Sequence, residues 1–281
     1  MAEPVRIGLV YPELLGTYGD RGNAEVLAWR AARHGLAARL VEVPATDPVP
    51  AGLDAYLLGG GEDVAQAAAA RLLRSPAGDG LRQAVDDGRA VLAVCGAFQL
   101  LGRTYTDGAG RVIPGLGLLD LDTAAGSPRL VGEVVTRTRE GELLTGFENH
   151  SGRTVLGSEV EPLGTVIRGN GNNGADATEG ARQGSLLGTY LHGPVLARNP
   201  ALADLLLATS SPAAACRMIQ TRRRRRTAPQ RSTRPGSRLP SAAARSAAAA
   251  AVRGGDATTK PAGHGQGHRP GPTAAPRAAS R

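Results

Sequence analysis

Residues 90–102 read AVLAVCGAFQLLG, and within this stretch the pattern of a buried strand changes to that of a helix at a single cysteine. The continuous apolar run Ala90–Val94 is typical of a strand that is buried on both faces. Cys95 follows directly, and the apolar helix predicted to begin at Gly96 ends at Gly102. The stretch therefore predicts a strand–turn–helix corner with a cysteine at its tip.

A corner of this kind lifts its central side chain clear of the sheet and points the first helical N–H groups toward it, as in a nucleophile elbow. The N-terminus of a helix stabilises a thiolate, which makes Cys95 a candidate nucleophile. A buried, unreactive cysteine is an equally common outcome for a thiol. The corner alone does not separate the two interpretations.

Strands and helices alternate before this corner. The predicted strands are Val5–Val10, Leu36–Val43 and Ala55–Leu58, and the predicted helices run from an Asn23 cap to about His34, from Glu62 and Asp63 to about Arg74, and from Leu81 to Asp87. This alternation predicts an α/β fold with a doubly wound, mostly parallel sheet flanked by helices. The active site of such a sheet lies beyond the carboxyl ends of its strands, where Cys95 and the turn Gly59-Gly60-Gly61 both fall.

The second half of the sequence is richer in predicted strands. They are Leu130–Arg137, Gly164–Arg168 and Leu186–Leu191, with a polar loop predicted over 147–153 (FENHSGR), a tight turn over 169–174 (GNGNNG) and a helix from Asn199 or Pro200. His192 stands directly at the end of the last predicted strand. We therefore expect it at the same edge of the sheet as Cys95.

Charge divides the 281 residues into two unlike parts. Residues 1–211 carry 18 Lys+Arg against 24 Asp+Glu, whereas the remainder carries 15 against one. The net charge of +8 thus describes neither part, and it is no reason to expect nucleic-acid binding by the folded body. With only two cysteines in the chain, we expect a reducing compartment and no disulfide framework.

The N-terminal sequence has no basic region followed by a long apolar run, so we expect no signal peptide. No segment approaches the roughly 18 to 20 consecutive apolar residues that a membrane-spanning helix needs. We therefore expect a soluble, cytoplasmic protein without a transmembrane segment.

The composition predicts a domain over residues 1–209 and a low-complexity Arg/Ala/Pro-rich tail over 210–281. The tail includes five consecutive arginines at 222–226 and has few aliphatic residues, so it is predicted to be disordered. Its bias toward Arg, Ala, Pro, Gly and Ser is typical of GC-rich DNA translated out of frame, which favours a shifted reading frame. The alternative is a solvated basic arm for nucleic acid or anionic lipid. Cys216 lies in this tail and is expected to be incidental.

Cys95 and His192 together suit nucleophilic catalysis. The histidine takes the thiol proton and later delivers it to a leaving amine. The backbone N–H groups of Gly61 and Gly96 can stabilise the developing oxyanion, so the set suits acyl transfer from an amide through a thioester. Each residue also has a purely structural interpretation. His150, in the predicted polar loop, is expected to be structural or adjacent to the substrate.

These motifs resemble a known family. The segments GGGED (59–63), VCGAFQLLG (94–102) and GTYLHGP (188–194) are similar to class I glutamine amidotransferases of the cobyric-acid-synthase-like branch. The segments YPELLGTYGDRGN (11–23), RLVGEV (129–134), FENHSGRT (147–154) and GNGNN (169–173) narrow the resemblance to the glutamine-hydrolysing subunits of lipid II isoglutaminyl synthases, the GatD type.

The resemblance implies a glutaminase subunit that passes ammonia to a Mur-ligase-like partner of the MurT type in a heterodimer. The partner would use ATP and Mg²⁺ to amidate the D-glutamate of lipid II in peptidoglycan synthesis, and this chain would need no cofactor and no metal. By the same resemblance, Cys95 is the nucleophile, His192 the base and Arg129 a glutamine-binding residue. An arginine fork can hold a carboxylate with two hydrogen bonds.

The sequence departs from the family in three places. Ala97 and Phe98 stand where the branch more often has glycine and tyrosine, and Pro194 stands where class I enzymes usually have the glutamate that orients the histidine. We therefore expect the third catalytic group to come from the ligase partner. Two alternatives remain open: an amidotransferase for another acceptor, such as a corrinoid carboxylate, and a non-catalytic binding protein of the same fold.

Overall fold

The computed structural model describes residues 3–17, 19–210 and 215–216. Its strands are β1 (Val5–Val10), β2 (Ala38–Val43), β3 (Ala55–Leu58), β4 (Ala90–Val94), β5 (Thr104–Thr106), β6 (Val112–Pro114), β7 (Leu121–Arg137), β8 (Leu143–Leu156), β9 (Gly164–Arg168), β10 (Thr178–Glu179), β11 (Ala181–Gln183) and β12 (Leu186–Thr189). Its helices are α1 (Arg21–Arg33), α2 (Asp63–Arg74), α3 (Asp79–Asp86), α4 (Gly96–Leu101), α5 (Val195–Arg198) and α6 (Pro200–Ser210), with a 3₁₀ turn at Pro76–Gly78.

The first sheet has the strand order β11-β12-β4-β3-β1-β2. Its neighbouring strands are parallel, except that β11 pairs antiparallel with β12 at one edge. Helices α1, α5 and α6 contact one another, and α2 contacts both α3 and α4. Both groups also contact strands of this sheet. The predicted α/β fold with a mostly parallel sheet flanked by helices is thus confirmed.

The apolar runs of the first sheet form strands where they were predicted. β1, β3 and β4 have the predicted bounds, and every residue of β3 and β4 is buried. The predicted strands at Leu36–Val43 and Leu186–Leu191 are shorter, and α1 begins at Arg21 instead of after an Asn23 cap. Inside the helix, the Asn23 Oδ1 atom accepts the backbone N–H of Leu196 at 3.0 Å. This long-range hydrogen bond takes the place of the predicted cap.

A second sheet, with the order β10-β9-β7-β5-β6 and β8 paired to β7, holds most of the second half. β7 and β8 form a long antiparallel ribbon with an irregularity between Ala125 and Leu130. The prediction of a polar loop over 147–153 was wrong, because these residues lie inside β8. Alternate residues of β8 are buried in strict succession. The alternation was missed because Glu148, His150 and Thr154 are among the buried residues.

The predicted tail over 210–281 lies almost entirely outside the described residues, so its disorder and its origin stay predictions. Of the tail, the structure describes Ser210 at the end of α6 and the exposed Cys216 with its neighbour. No helix in the described ranges is long and apolar enough to cross a membrane.

Candidate active site

Three neighbouring strands of the first sheet end at the same edge. β4 lies between β3 and β12, and its residue Ala93 pairs with Leu58 on one side and Gly188 on the other. Because the strands are parallel, the segments that follow them emerge together at the carboxyl edge. The elbow, the glycine turn and the histidine segment are those three segments.

Cys95 occupies the corner between β4 and α4 in a strained backbone conformation. Its φ of 52° and ψ of −107° lie outside the ordinary regions for a residue with a side chain. The backbone N–H of Cys95 donates to the Thr189 carbonyl at 2.9 Å, which ties the corner to β12. The side chain is 6% exposed. Strain of this kind is typical of functional corners and costs about 1–3 kcal/mol.

The glycine turn brings its backbone against the start of α4. A Cβ atom on Gly96 would come within 3.1 Å of the Gly61 nitrogen, so the two backbone amides are neighbours. The Ala97 N–H donates to the Gly59 carbonyl at 3.3 Å and holds the turn against the helix. The residues predicted to form an oxyanion hole, Gly61 and Gly96, thus lie side by side next to Cys95.

Phe98, one of the departures from the family pattern, packs into the first sheet. A Cβ atom on Gly188 would lie only 2.0 Å from the Phe98 ring, so this position in β12 has no room for a side chain. The ring also makes an edge-on contact with Tyr190, with centroids 5.2 Å apart. Phe98 therefore contributes to the packing between the elbow helix and the strand that leads to His192.

His192 follows β12 and is held by its backbone. Its N–H donates to the Phe147 carbonyl at 2.9 Å, and the Phe147 N–H donates to the His192 carbonyl at 3.2 Å. The side chain is 5% exposed. Burial lowers the pKa of His192, but the Asp20 carboxylate and the Cys95 thiol outweigh this effect and raise the pKa to about 9. The imidazole is therefore protonated at neutral pH, as a thiolate–imidazolium pair requires.

A carboxylate of this same chain lies beside the histidine. The Asp20 Oδ1 atom is 3.8 Å from His192 Nδ1, and Asp20 is 2% exposed. Asp20 belongs to the loop after β1, the next strand beyond β3 in the sheet. The sequence predicts that the third group comes from the ligase partner, because Pro194 carries no carboxylate. The structure supplies a carboxylate from an unexpected position in the chain.

Arg129 lies at the irregularity in β7, where its guanidinium contacts β8. Nε donates to Asn149 Oδ1 at 2.5 Å, and Nη2 donates to the Asn149 carbonyl at 2.9 Å. Burial is the largest cause that raises the pKa of Tyr105, and the charge of Cys95 raises it further while that of Arg129 lowers it. Cys95 and Arg129 therefore both act electrostatically on the Tyr105 phenol.

Behind the histidine segment, the structure buries a cluster of acidic and histidine side chains. His150 stacks on Tyr190 with ring centroids 3.6 Å apart, and its Nε2 atom is 3.8 Å from Glu148 Oε2. Glu179 accepts hydrogen bonds from Thr189 Oγ1 at 2.7 Å and from the Tyr190 N–H at 2.9 Å. These contacts place His150 in the packing that supports the strand end.

Glu179 should make stability depend on pH. Burial, reinforced by the charge of Glu148, raises the pKa of Glu179 from 4.5 to about 7. The folded state thus favours the protonated form, whose stabilising contribution is complete below pH 4.5 and is lost as the pH rises through 7. E179Q keeps the acceptor oxygen without the charge. The free energy of unfolding of E179Q, relative to that of the parent chain, should therefore rise by up to about 3 kcal/mol between pH 5 and 8.5.

Urea unfolding across this pH range measures the difference, with the exposed Glu161→Gln as the matched control. Parallel stability curves for E179Q and the parent chain would show that Glu179 stays charged in the folded protein. The E161Q curve should follow that of the parent chain.

Two features of the site were not found from the sequence. Asp20 belongs to the motif YPELLGTYGDRGN (11–23), in which no catalytic residue was predicted, although this segment follows β1 at the carboxyl edge of the sheet. Glu179 ends the two-residue strand β10, which no apolar pattern announces. The position of the loop after β1 was the one signal that could have indicated Asp20.

Comparison with known proteins assigns the chain to a family. A sequence profile of the CobB/CobQ-like glutamine amidotransferase domain matches residues 6–200. The chain therefore belongs to the CobB/CobQ-like glutamine amidotransferase family. The matched range of this amidotransferase includes the elbow, the glycine turn, Arg129 and His192, and the family predicted from the motifs is confirmed.

The amidotransferase is similar to two curated subunits over most of their length. It is 39% identical over 194 residues to the lipid II isoglutaminyl synthase (glutamine-hydrolyzing) subunit GatD of Staphylococcus aureus (strain N315), covering 69% of this chain and 79% of that protein. It is 35% identical over 209 residues to the subunit of the same name from Streptococcus pneumoniae (strain ATCC BAA-255 / R6), covering 73% and 80%.

More distant similarities are consistent with this placement. A cobyric acid synthase of Methylorubrum populi is 35% identical over 158 residues, but the match covers only 31% of that protein and 54% of this chain. Among solved structures, PurLQS from Thermotoga maritima matches with a TM-score of 0.50 and 16% identity, covering 78% of the amidotransferase chain and 99% of that chain. At this identity the structural match supports the fold alone.

Proposed function

We propose that this chain is the glutamine-hydrolysing subunit of a lipid II isoglutaminyl synthase. It hydrolyses L-glutamine through a thioester on Cys95 and supplies ammonia to a Mur-ligase-like partner of the MurT type. The partner uses ATP and Mg²⁺ to amidate the D-glutamate of lipid II, so this chain needs no cofactor of its own. The observation that carries the proposal is the strained elbow of Cys95, with His192 and the Gly61 and Gly96 amides at the same sheet edge.

The first half-reaction forms the thioester. The Cys95 thiolate attacks the side-chain amide carbon of glutamine, and the amide oxygen becomes an oxyanion that the N–H groups of Gly61 and Gly96 stabilise. The His192 imidazolium then gives its proton to the amide nitrogen as the C–N bond breaks. Ammonia leaves, and a γ-glutamyl thioester and a neutral imidazole remain.

The second half-reaction restores the enzyme. Neutral His192 removes a proton from a water molecule, which attacks the thioester carbon through the same oxyanion geometry. The C–S bond breaks, glutamate leaves and the thiolate–imidazolium pair is regenerated. The ammonia from the first half-reaction is then available to the acceptor enzyme.

The acceptor is inferred from the relatives. Both GatD subunits align over about four fifths of their length, whereas the cobyric acid synthase aligns over less than a third of its length. This difference favours lipid II over a corrinoid carboxylate as the final acceptor. The strained cysteine beside a protonated histidine disfavours a non-catalytic binding protein.

Two assays test the proposal. Release of ammonia from glutamine is measured with the purified chain alone and with a Mur-ligase-like subunit from the same genome. Amidation of lipid II by the pair is measured with ATP, Mg²⁺ and glutamine. Amidation of a corrinoid carboxylate in place of lipid II would support the alternative acceptor, and absence of glutaminase activity in both preparations would refute the catalytic role.

Arg129 is proposed to bind the α-carboxylate of glutamine with its guanidinium fork. Arg129→Ala should raise the KM for glutamine by about 10- to 100-fold, because a hydrogen bond to a charged group contributes roughly 1.5–3 kcal/mol. It should leave the alkylation rate of Cys95 by iodoacetamide, a small neutral reagent, nearly unchanged. Steady-state kinetics and a timed alkylation assay give the two values.

The exposed Arg168 on β9 gives a matched control, R168A, because it removes an arginine from the strand that pairs with β7 in the same sheet. R168A should leave both measurements at the parental level. Equal losses of glutamine turnover and alkylation in R129A would indicate that Arg129 shapes the site instead of binding the substrate.

A further inference from the structure

We propose that Asp20 is the positioning residue that orients the imidazole of His192 and ties it to the glycine turn. The inference rests on the proposed glutaminase function and deepens it. Asp20 takes the role that class I enzymes usually give to a glutamate two residues after the histidine, where this chain has Pro194. The third group of the site is then internal to the chain.

The two carboxylate oxygens of Asp20 face different partners. Oδ2 accepts the Gly60 N–H at 2.7 Å, and Oδ1 lies 3.8 Å from His192 Nδ1. The second distance is that of an ion pair and exceeds that of a hydrogen bond. Catalytic hydrogen bonds are often long in a structure without substrate and shorten in the reacting complex. Asp20 therefore supplies a carboxylate on the Nδ1 side of the imidazole.

The loop that carries Asp20 is locked to the segment that carries His192. A Cβ atom on Gly22 would lie 2.5 Å from Pro194 Cγ, so the first turn of α1 packs directly on the proline. Asn23 then accepts the Leu196 N–H through Oδ1 at 3.0 Å. These contacts on the C-terminal side of His192 fix the distance between the carboxylate and the imidazole.

The same loop is also locked to the glycine turn. The Thr17 N–H donates to the Gly60 carbonyl at 3.2 Å, while Asp20 holds the Gly60 N–H. A Cβ atom on Gly59 would lie 2.6 Å from the Asp20 Cβ, so a side chain at Gly59 would displace the aspartate. Asp20 thus connects the turn that carries the Gly61 amide with the base that serves Cys95.

The buried carboxylate of Asp20 needs a compensating charge nearby. Asp20 is 2% exposed and His192 is 5% exposed, and a buried carboxylate requires an opposite charge or hydrogen bonds. An imidazolium at His192 supplies that charge and gains from the carboxylate in turn. The raised pKa of His192 has Asp20 among its causes.

Asp20→Asn is the decisive variant, because it keeps the shape and an acceptor for the Gly60 N–H but removes the charge. Its kcat for glutamine hydrolysis should fall by about 10²- to 10⁴-fold, the range for loss of an orienting carboxylate. The alkaline limb of the kcat profile, which reports deprotonation of the imidazolium, should move to lower pH. The KM for glutamine should change little.

The assays use the full chain alone and in complex with the ligase subunit. Glu25→Gln is the matched control, since Glu25 is an exposed carboxylate on α1, the helix that follows Asp20, and pairs with Arg21. Its loss should alter neither kcat nor the pH profile. D20S is the second variant if D20N does not fold, because a serine hydroxyl is smaller and still accepts a hydrogen bond. NMR titration of His192 in a Cys95→Ser background gives the imidazole pKa directly, and it should fall when Asp20 is replaced.

Retention of kcat within about threefold, with an unmoved alkaline limb, would overturn the inference. A large loss in the chain alone that disappears in the complex would also overturn it, because the orienting carboxylate would then come from the partner. Failure of the proposed function is distinguishable, since in that case the parent chain itself would release no ammonia in either preparation.

Discussion

Replacement of Cys95 by serine or alanine is expected to abolish glutamine hydrolysis while the fold is retained. The thiol forms the covalent bond to substrate in the proposed mechanism, and removal of a covalent nucleophile costs about 10³-fold or more. Neither variant can turn glutamine over through a thioester. Ammonia release and a thermal unfolding curve measure the two quantities.

The exposed Cys216 gives the matched control. C216S should keep full activity, because this residue lies in the segment beyond α6 and far along the chain from the elbow. A diazo-norleucine analogue of glutamine should label the parent chain at Cys95 alone, as peptide mass spectrometry would show. Near-parental ammonia release by C95S, or labelling at Cys216, would contradict the assignment of the nucleophile.

Most of the first sheet could be predicted from the sequence because its central strands β3, β4 and β12 are buried on both faces. A central parallel strand such as β4 must be apolar at every position, so its limits coincide with the limits of the apolar run. The elbow followed from the same reasoning, since the run stops at a cysteine and a helical pattern begins at once. Burial thus fixed both the bounds of β4 and the position of its cysteine.

The second sheet was harder to predict because its ribbon buries polar groups. β8 alternates strictly between buried and more exposed residues, but Glu148, His150 and Thr154 occupy buried positions. Their burial depends on partners elsewhere in the chain, such as the N–H groups of Asn170 and Gly171 that donate to Glu148. A pattern that counts only apolar residues does not register this alternation.

The position of Asp20 could not be derived for a different reason. A spacing argument finds an orienting carboxylate only near its histidine in sequence, and here 172 positions separate the two residues. The strand order places β1 next to β3, and packing of α1 on Pro194 then brings the loop after β1 across to His192. Only the tertiary contacts of α1 reveal this arrangement.

An internal carboxylate also changes what the ligase partner is expected to do. If Asp20 orients His192, the isolated chain has nucleophile, base, positioning residue and oxyanion donors. Stimulation of the glutaminase by the partner would then act through glutamine binding or product release, and it would appear in KM or in the release rate. Coupling between ammonia release and the acceptor would not require a shared catalytic group.

His192→Asn is expected to lower kcat by about 10²- to 10⁴-fold, the usual contribution of a general acid–base group. Asparagine cannot deliver a proton to the departing ammonia, nor remove one from the attacking water. In the parent chain the raised pKa of about 9 keeps the imidazole protonated through neutral pH. Glutamine hydrolysis should therefore decline only as the pH rises through about 9, where that proton is lost.

Alkylation of Cys95 by iodoacetamide separates the two effects of His192. In the parent chain the imidazolium stabilises the thiolate, so alkylation at neutral pH should be fast; in H192N it should be slow at pH 7 and should increase as the pH is raised. His34→Asn is the matched control, because His34 pairs with Asp204 on α6 and has no part in the proposed chemistry. If alkylation of the H192N chain keeps the parental pH dependence, the elbow alone stabilises the thiolate and the imidazole is not needed for it. His192 would then act only on the leaving ammonia and the water.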